Sequence, residues 1–242
     1  MLTYASMSEV GSRAVNEDSV GICPVGNGFM FTLADGLGGH GQGEVASSLA
    51  AGAVMETVKN SNGKQEEILE HCILHAQQAL LNEQNRQGLH DDIKTTITLL
   101  YIQDDIAQWA HVGDSRVYLF KKDKLFVRTL DHSVTQMLVA QGEIRERDIR
   151  FHEDRNRLIR VLGMAVDRPK FDLSGQVMLA APMSFLLCSD GFWELIDEKE
   201  MTKLLRRAHS PEEWLNSMRD VILYNGQGRN MDNFSAIAVF VR

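Results

Sequence analysis

The chain has 242 residues, of which 44% are hydrophobic and 24% charged, and its formal net charge is −8. This length is enough to bury a large core, and the acidic balance argues against a nucleic-acid-binding protein, which usually carries a basic surface. Three separate cysteines, Cys23, Cys72 and Cys188, form no C-x-x-C pair, and no apolar run approaches the roughly 18 residues of a membrane span. We therefore expect a soluble, cytoplasmic, monomeric protein without a signal peptide.

Hydrophobic periodicity predicts both strands and helices in the first half of the chain. A short strand at Gly28–Ala34 precedes two helices, at Glu44–Lys59 and Gln65–Gln87, which Asn60–Gly63 separates. The β-branched residues that follow indicate strands at Thr95–Ile102, Ile106–Val112, Val117–Phe120 and Leu125–Val127.

The second half continues this mixed pattern. Val134–Gln141 and Arg145–Arg157 are expected to be helical or irregular, and Phe185–Cys188 is expected to be a strand. Ser210-Pro211 is typical of a helix start, and Phe234–Val241 is apolar on both faces, as in a buried strand. Because strands occur in runs without regular βαβ alternation, the pattern favours a layered α+β fold over a doubly wound parallel sheet.

Acidic residues recur at the ends and beginnings of the predicted strands. The residues in such positions are Glu17, Asp18, Asp35, Asp114, Asp190 and Asp232. If these strand ends meet at one edge, they form a set of oxygen ligands of the kind that Mg²⁺ and Mn²⁺ prefer. Asp-Gly, found at Asp35 and Asp190, is also a common turn dipeptide, so spacing alone does not establish that the residues converge.

A competing interpretation concerns Gly36–Gly41, which matches G-x-G-x-x-G between a predicted strand and a helix. The dinucleotide fold requires that helix to lead into a parallel strand, whereas here a second helix follows. Asp35, directly before the first glycine, would also repel a pyrophosphate. No Gly-Lys-Ser/Thr follows the glycines, so the segment is not a nucleotide P-loop either.

Four histidines stand in positions that suggest metal binding or catalysis. His71 and His75 are four residues apart on a predicted helix, but Cys72 stands where the zinc-protease motif has glutamate. We interpret both as helix-surface residues. His111 and His132 lie near the predicted site turns and are interpreted as structural.

Six segments resemble, in order, the motifs of the metal-dependent protein phosphatases (the PPM, or type 2C, serine/threonine phosphatases) in their compact bacterial form. The segments are Gly11–Ser19, Ala34–His40, His111–Arg116, Asp131–Ser133, Leu187–Gly191 and Asp232–Asn233. The resemblance spans nearly the whole chain. It implies one catalytic domain over residues 1–242, a β-sandwich of two antiparallel sheets flanked by helix pairs in α-β-β-α layers.

The resemblance also implies a set of metal ligands. Asp35 would bridge two Mn²⁺ or Mg²⁺ ions, and Asp190 and Asp232 would complete the shell of one of them. Asp114, together with Asp190, matches the position that holds a third, weaker ion in bacterial members.

The second ion would be completed by the carbonyl group of Gly36 with Glu17 or Asp18, directly or through water. Arg13 matches the arginine that grips the substrate phosphate. Asn233 would orient the turn beside the last aspartate.

The implied mechanism is hydrolysis of phosphoserine and phosphothreonine by a hydroxide that the two ions share, with charge stabilised by the metals and Arg13. No cysteine serves as a nucleophile. Some members carry a histidine two residues after the bridging aspartate as general acid, whereas this chain has Leu37 there and His40 three residues further on. The leaving oxygen would then be protonated by a metal-bound water or another group.

Residues 134–157 occupy the variable flap region of the family. Their mixed charges, which include Arg145, Arg147, Arg150 and Arg155, either select phosphoproteins or form a solvated surface. The expected partners are phosphorylated proteins and a serine/threonine kinase whose action is reversed, with type VI secretion control as one setting. The alternatives are a two-metal phosphoesterase for small molecules and a non-catalytic phosphoprotein-binding module.

Overall fold

The strands form two antiparallel sheets in this computed structural model, which describes residues 1–37, 42–61, 67–89, 92–166 and 168–242. In spatial order, the first sheet contains β1 (Leu2–Glu9), β12 (Phe234–Val241), β11 (Met183–Cys188), β7 (Arg116–Lys121) and β8 (Lys124–Arg128). The second contains β10 (Val177–Met178), β6 (Ile106–Val112), β5 (Ile97–Gln103), β3 (Gly28–Leu37) and β2 (Asp18–Val25). Two short strands complete it: β4 (Lys94–Thr95) pairs with β3, and β9 (Asp172–Leu173) pairs with β6.

Helices cover the outer face of each sheet. They are α1 (Gln42–Asn60), α2 (Ile68–Gln87), α3 (Val134–Gln141), α4 (Asp190–Trp193), α5 (Glu198–Leu205), α6 (Pro211–Asn225) and a 3-10 helix (Glu146–Phe151). The apolar faces of α1 and α2 pack on the second sheet, and α4, α5 and α6 pack on the first. The predicted α+β sandwich with α-β-β-α layers is therefore confirmed. Within the described ranges, no helix combines the length and apolarity needed to cross a bilayer.

The central strands are buried on both faces because one face meets the other sheet and the opposite face meets helices. In β12, Ile237 and Val239 lie between the sheets, whereas Ala236 and Ala238 face the helices. This alternation follows from the two-residue repeat of a strand. It explains why Phe234–Val241 is apolar at consecutive positions, as predicted for a buried strand.

The strand that carries Asp35 is longer than predicted. The expected strand ended at Ala34, but β3 continues to Leu37, so Asp35 and Gly36 lie within it rather than after it. The extension occurs because Asp35 pairs with the first residue of β2 and Gly36 pairs with β4. A sequence pattern based on apolar residues ends where the side chains become polar, although the backbone pairing continues.

Other boundaries also differ from the prediction. The strand expected at Thr95–Ile102 is interrupted at Thr96, whose backbone N–H and side-chain oxygen both bind Asp35 backbone atoms. The helix expected from Gln65 is described from Ile68 onwards, and residues 62–66 lie outside the described ranges. On α2, His71 and His75 are exposed, as predicted for surface histidines.

The antiparallel pairing excludes the dinucleotide interpretation of Gly36–Gly41. All strand pairs in the described ranges are antiparallel, whereas that site requires a parallel βαβ unit. Residues 38–41 themselves lie outside the described ranges.

The helix start predicted at Ser210 is confirmed, since its side chain accepts a hydrogen bond from the backbone N–H of Glu213.

Candidate active site

Two aspartates face each other on neighbouring strands of the second sheet. Asp18 is the first residue of β2 and is the aligned partner of Asp35 on β3. Directly opposed residues of an antiparallel pair place their side chains close together on one face. Burial, and after it the charges of neighbouring aspartates, raises the pKa of Asp35 well above its usual range. Burial likewise raises the pKa of Asp18, to about 7. Two acids that share so little water repel each other when both are ionised.

Asp190 and Asp232 approach these acids from the first sheet. Asp190 is the first residue of α4, which follows β11, and Asp232 lies just before β12. The end of β11 pairs with the beginning of β12, so the two aspartates extend from adjacent strand ends. Burial, followed by the charge of Asp232, raises the pKa of Asp190 to about 6.

Asn233 holds the loop that carries Arg13 and Glu17. Its side-chain oxygen accepts a hydrogen bond from the Glu17 backbone N–H at 2.8 Å. Its amide group donates to the carbonyl oxygens of Val10 and Val15 at 2.8 and 3.0 Å. The sequence prediction gave Asn233 an orienting role beside the last aspartate. The bonds show that the segment it orients is the loop at residues 10–17.

Arg13 lies at the mouth of the site. Its Nη2 atom donates a hydrogen bond of 2.7 Å to Asp232 Oδ2, and 48% of its side chain remains exposed. A guanidinium group has five N–H donors, so this bond leaves most of them available to a ligand. Arg13 can therefore bind an anionic oxygen that enters from solvent.

Gly36 is required because two other backbone segments approach it. Its N–H donates to the carbonyl oxygen of Glu17 at 3.0 Å. A Cβ atom at this position would lie 2.0 Å from the carbonyl oxygen of Gly43 and 2.8 Å from that of Glu17. Any side chain would therefore displace the first turn of α1 from the acidic site.

Asp114 lies in the turn between β6 and β7, where Gly113 adopts a φ of 104°. Burial, followed by the charge of Asp190, raises the pKa of Asp114. The turn is held by Trp193, whose indole N–H donates to the Asp114 carbonyl oxygen at 3.0 Å. These contacts hold the turn that joins the two sheets against helix α4.

A buried ion pair supports this turn, and the sequence analysis assigned it no role. Arg116 forms two hydrogen bonds with Asp131, of 2.8 and 2.7 Å, and both side chains are only 2% exposed. The guanidinium carbon of Arg116 also lies 3.4 Å from the centroid of the Trp193 ring. Arg116 lies in the segment His111–Arg116 and Asp131 in the segment Asp131–Ser133, two of the six that resemble the phosphatase motifs. Nothing else in the sequence indicates that the two residues pair.

The acidic residues from both sheets share one cavity of about 160 Å³. The residues that line it are Arg13, Glu17, Asp35, Gly36, Leu37, Asp114, Asn156, Leu158, Asp190, Asp232 and Asn233. Asp18 is not in this wall but reaches the group through its opposition to Asp35. Asn156 and Leu158, at and just beyond the end of the flap, were not anticipated. His40 lies outside the described residues.

The donor set fits a hard divalent cation. The Oδ2 atom of Asp18 accepts a hydrogen bond from Ser189 Oγ at 2.9 Å, but its buried Oδ1 atom has no hydrogen-bond partner among the described residues. An unpaired buried carboxylate oxygen is costly unless a cation or a donor satisfies it. No histidine or cysteine lines the cavity among the described residues, so the available ligands are oxygens, as Mg²⁺ and Mn²⁺ prefer.

A second cluster of metal-ligand types, His111, His132 and Asp172, lies elsewhere. The two imidazole rings stack with centroids 4.5 Å apart. The His132 Nδ1 atom accepts a hydrogen bond from the Gly113 N–H, which places its proton on Nε2, facing Asp172 at 3.4 Å. The His111 Nε2 atom donates to the Leu130 carbonyl oxygen. These bonds leave His132 no lone pair for a metal.

Two arginines of the flap bind the body of the protein. Arg155 Nε donates to Glu194 Oε1 at 2.8 Å, and Arg150 Nη2 contacts both carboxylate oxygens of Glu198 at 3.1 Å. Glu194, which the sequence analysis missed, lies one helical turn after Asp190. Burial, followed by the charge of Asp190, raises the pKa of Glu194 to about 7. The flap is thus attached to the helix that carries a site aspartate.

Comparison with known proteins agrees with this architecture. The sequence profile of the family described as Protein phosphatase 2C matches residues 7–222. The chain is 31% identical over 209 residues to the serine/threonine phosphatase stp of Listeria monocytogenes, covering 83% of this chain and 81% of that protein. It is 29% identical over 208 residues to the serine/threonine protein phosphatase PstP of Mycobacterium tuberculosis, covering 85% of this chain but only 39% of PstP.

Solved structures show the same fold. The catalytic domain of PstP in complex with two manganese ions has a TM-score of 0.83 at 26% identity, covering 99% of this chain and 97% of that one. PppA, a key regulatory component of the type VI secretion system in Pseudomonas aeruginosa, has a TM-score of 0.81 at 26% identity, with the same coverage of 99% and 97%. Because the family profile covers most of the sequence and the two-sheet architecture is shared, the chain belongs to the Protein phosphatase 2C family.

Proposed function

We propose that the chain is a serine/threonine protein phosphatase that hydrolyses phosphoserine and phosphothreonine with the help of two Mn²⁺ or Mg²⁺ ions. The observation that carries this proposal is the shared cavity, in which carboxylates from both sheets meet an arginine at the mouth. The unpaired Asp18 oxygen adds support, because it identifies a buried acceptor that a cation would satisfy.

The proposed ligand roles follow the placement of the acids. Asp35 interacts electrostatically with Asp18 of its own sheet and with Asp190 beyond it, and it would contribute oxygens to both ions. Asp190 and Asp232 would hold one ion. Asp114, whose pKa is raised by burial and by Asp190, would hold a third ion together with Asp190.

The second ion would be held on the side of the second sheet. The carbonyl group of Gly36 and the carboxylates of Glu17 and Asp18 are the available oxygens there. Burial, followed by the charge of Asp232, raises the pKa of Glu17. A bound cation would oppose this shift, because it favours the ionised carboxylate.

When bound, such ions lower the pKa of water and polarise phosphoryl oxygens. The residues of the chain do the remaining work. Arg13 binds a phosphate oxygen with donors that its bond to Asp232 leaves available. Asn156 and Leu158 line the flap side of the cavity. Leu37 supplies no proton, so no side chain at that position acts as general acid.

We further propose that residues 1–242 form one catalytic unit, which acts as a monomer in the cytoplasm. Its partners would be phosphorylated proteins and the serine/threonine kinase that modifies them. A role in type VI secretion control is supported by the likeness to PppA over nearly the full length of both chains. The flap near residues 134–157 would contribute to the choice of substrate.

The test measures hydrolysis of a phosphothreonine peptide by the wild type with Mn²⁺ and with EDTA, and by the variant Asp190→Asn with Mn²⁺. We expect hydrolysis that requires Mn²⁺ and falls by at least about 100-fold in the variant, because one strong electrostatic contribution to the transition state is lost. Asp220→Asn, an exposed change on α6, is the matched control and retains wild-type activity.

The two alternative functions give different results in the same assay. A small-molecule phosphoesterase would hydrolyse p-nitrophenyl phosphate but not the peptide. A binding module would bind the phosphopeptide, detected by calorimetry, without turnover at any metal concentration. Either result would replace the proposed function.

A further inference from the structure

A continuous groove leads away from the acidic cavity along the edge of the flap. A second cavity of about 280 Å³ shares Arg13, Asn156, Asp190 and Asp232 with the acidic one. A third, of about 460 Å³, continues outwards. The second and third cavities share Arg150, Phe151, Glu194, Leu195 and Arg229. We call the second and third cavities together the flap groove. It is far larger than a phosphorylated serine side chain requires, so the polypeptide around that residue can also be accommodated.

Basic side chains without strong ion pairs line the outer part of the flap groove. Arg229 and Lys199 form no ion pair with any residue in the part of the chain that the structure describes. Among the described residues, Arg147 has one ion pair within 4 Å, a long contact of 3.8 Å with Asp148, and 70% of its side chain is exposed. In a chain with a net charge of −8, such a local excess of unpaired cations is a distinct feature of this surface.

The acids of the flap groove are largely engaged in other contacts. Glu198 binds Arg150, and Glu194 binds Arg155. Asp197 accepts a hydrogen bond from the backbone N–H of Glu200 and so caps α5. Asp197 has no cationic partner among the described residues, so its charge remains, but the same cavity presents three cations without a close carboxylate, Arg147, Lys199 and Arg229. The charge left over in the outer part of the groove is therefore positive.

An exposed aromatic ring lies in the middle of the flap groove. Phe151 is 75% exposed and lines both cavities. A single exposed apolar side chain is common on protein surfaces, but Phe151 does not stand alone, because Leu195 lines the same two cavities. Phe151 and Arg229 thus offer an apolar contact and a positive charge on the same path from the acidic cavity.

We propose that the flap groove binds the polypeptide next to the phosphorylated residue and selects segments with acidic side chains, through Arg229 with Arg147 and Lys199. This inference rests on the proposed phosphatase function, since the groove opens from that site. The flap arginines then differ in role, and they are neither all substrate contacts nor all solvated surface. Arg150 and Arg155 attach the flap, whereas Arg147 contacts substrate.

The test compares two phosphothreonine peptides of equal length, one with glutamates and one with serines on both sides of the phosphothreonine. For the wild type we expect kcat/KM to be about fivefold higher for the glutamate peptide, the effect of one partly exposed charge pair. Arg229→Glu should remove or reverse this preference. The ratio of the two kcat/KM values is the readout, because a general loss of activity cancels from it.

Arg207→Glu is the matched control. Arg207 is also exposed and without an ion pair among the described residues, but it does not line the groove, so the same change in net charge should preserve the ratio. Phe151→Ala should raise KM for both peptides. The inference is overturned if the wild type treats both peptides alike or if Arg229→Glu keeps the wild-type ratio. If the wild type hydrolyses neither peptide, the proposed function fails as well.

Discussion

Asp18 and Asp35 lie directly opposite each other on β2 and β3, and within the described part of the chain the buried Oδ1 atom of Asp18 has no hydrogen-bond partner. Like charges in directly opposed positions destabilise an antiparallel pair. Here the pair also faces the buried acids Asp190 and Asp114. The repulsion lowers the stability of the metal-free chain, and the proposed binding of a cation would offset it, so both effects can be measured.

Asp18→Asn should stabilise the metal-free protein and weaken its stabilisation by metal. Removing one buried charge relieves repulsion, and we expect Tm in EDTA to rise by about 2–4 °C, which corresponds to about 1 kcal/mol in a chain of this size. The increase in Tm on adding Mn²⁺ should be smaller than in the wild type, because the stabilisation by a ligand grows with the logarithm of its concentration divided by Kd, and the variant binds the ion more weakly. Thermal melts followed by circular dichroism measure both. A lower Tm in EDTA combined with an undiminished Mn²⁺ shift would contradict this account.

Asp131→Asn should destabilise the fold strongly. The change removes the carboxylate that forms both short hydrogen bonds with the buried Arg116 and leaves only the longer contact of 3.6 Å with Glu198. Breaking such a pair costs about 3–5 kcal/mol. Urea unfolding measures the loss. The control is Lys203→Ala, which removes an exposed pair with Glu200 and should change the free energy of unfolding by less than about 1 kcal/mol. Equal effects of the two changes would show that the buried pair has no special importance.

Arg155→Ala should loosen the flap without unfolding the protein. The pair between Arg155 and Glu194 is partly exposed, so its loss should cost at most about 1 kcal/mol of global stability. Amide exchange at residues 150–157 should accelerate, since local opening requires fewer contacts to break. Arg157→Ala removes a pair with Asp154 inside the flap and serves as the control. Unchanged exchange in Arg155→Ala would mean that other contacts hold the flap.

His132 should make the protein less stable as the pH falls. Burial, followed by the neighbouring His111, lowers the pKa of His132 from 6.5 to about 4, while Asp172 opposes this shift and Arg160 adds to it. The unfolded chain takes up the proton first, so the contribution of neutral His132 is complete above pH 6.5 and is lost towards pH 4. The slope is at most about 1.4 kcal/mol per pH unit.

The measurement is the free energy of unfolding in urea between these pH values, for the wild type and His132→Asn. Other acids titrate in the same range, so the difference between the two proteins is the relevant quantity. The variant should lose less stability on acidification. Parallel curves would exclude His132 as a source of acid sensitivity.

Local patterns were reliable where a single face or repeat decides the structure. The helix start at Ser210 was predicted because its cap and first-turn acids are adjacent in sequence. In contrast, β1 was missed: its residues are mostly polar or half-exposed, and it is a strand because it pairs with β12 at the edge of the sheet. The ion pair between Arg155 and Glu194 was missed for a similar reason, because the two residues are 39 positions apart in the sequence.

The sequence by itself determined which segments alternate as strands, which repeat as helices, and which acidic residues stand at their ends, because these are local properties of the chain. Only the tertiary structure decided that Asp18, Asp35, Asp114, Asp190 and Asp232 belong to one acidic centre. That outcome depends on the register between strands distant in sequence, such as Asp18 against Asp35. A shift of one residue would turn Asp35 to the other face of β3, and only the packing of both sheets and their helices prevents it.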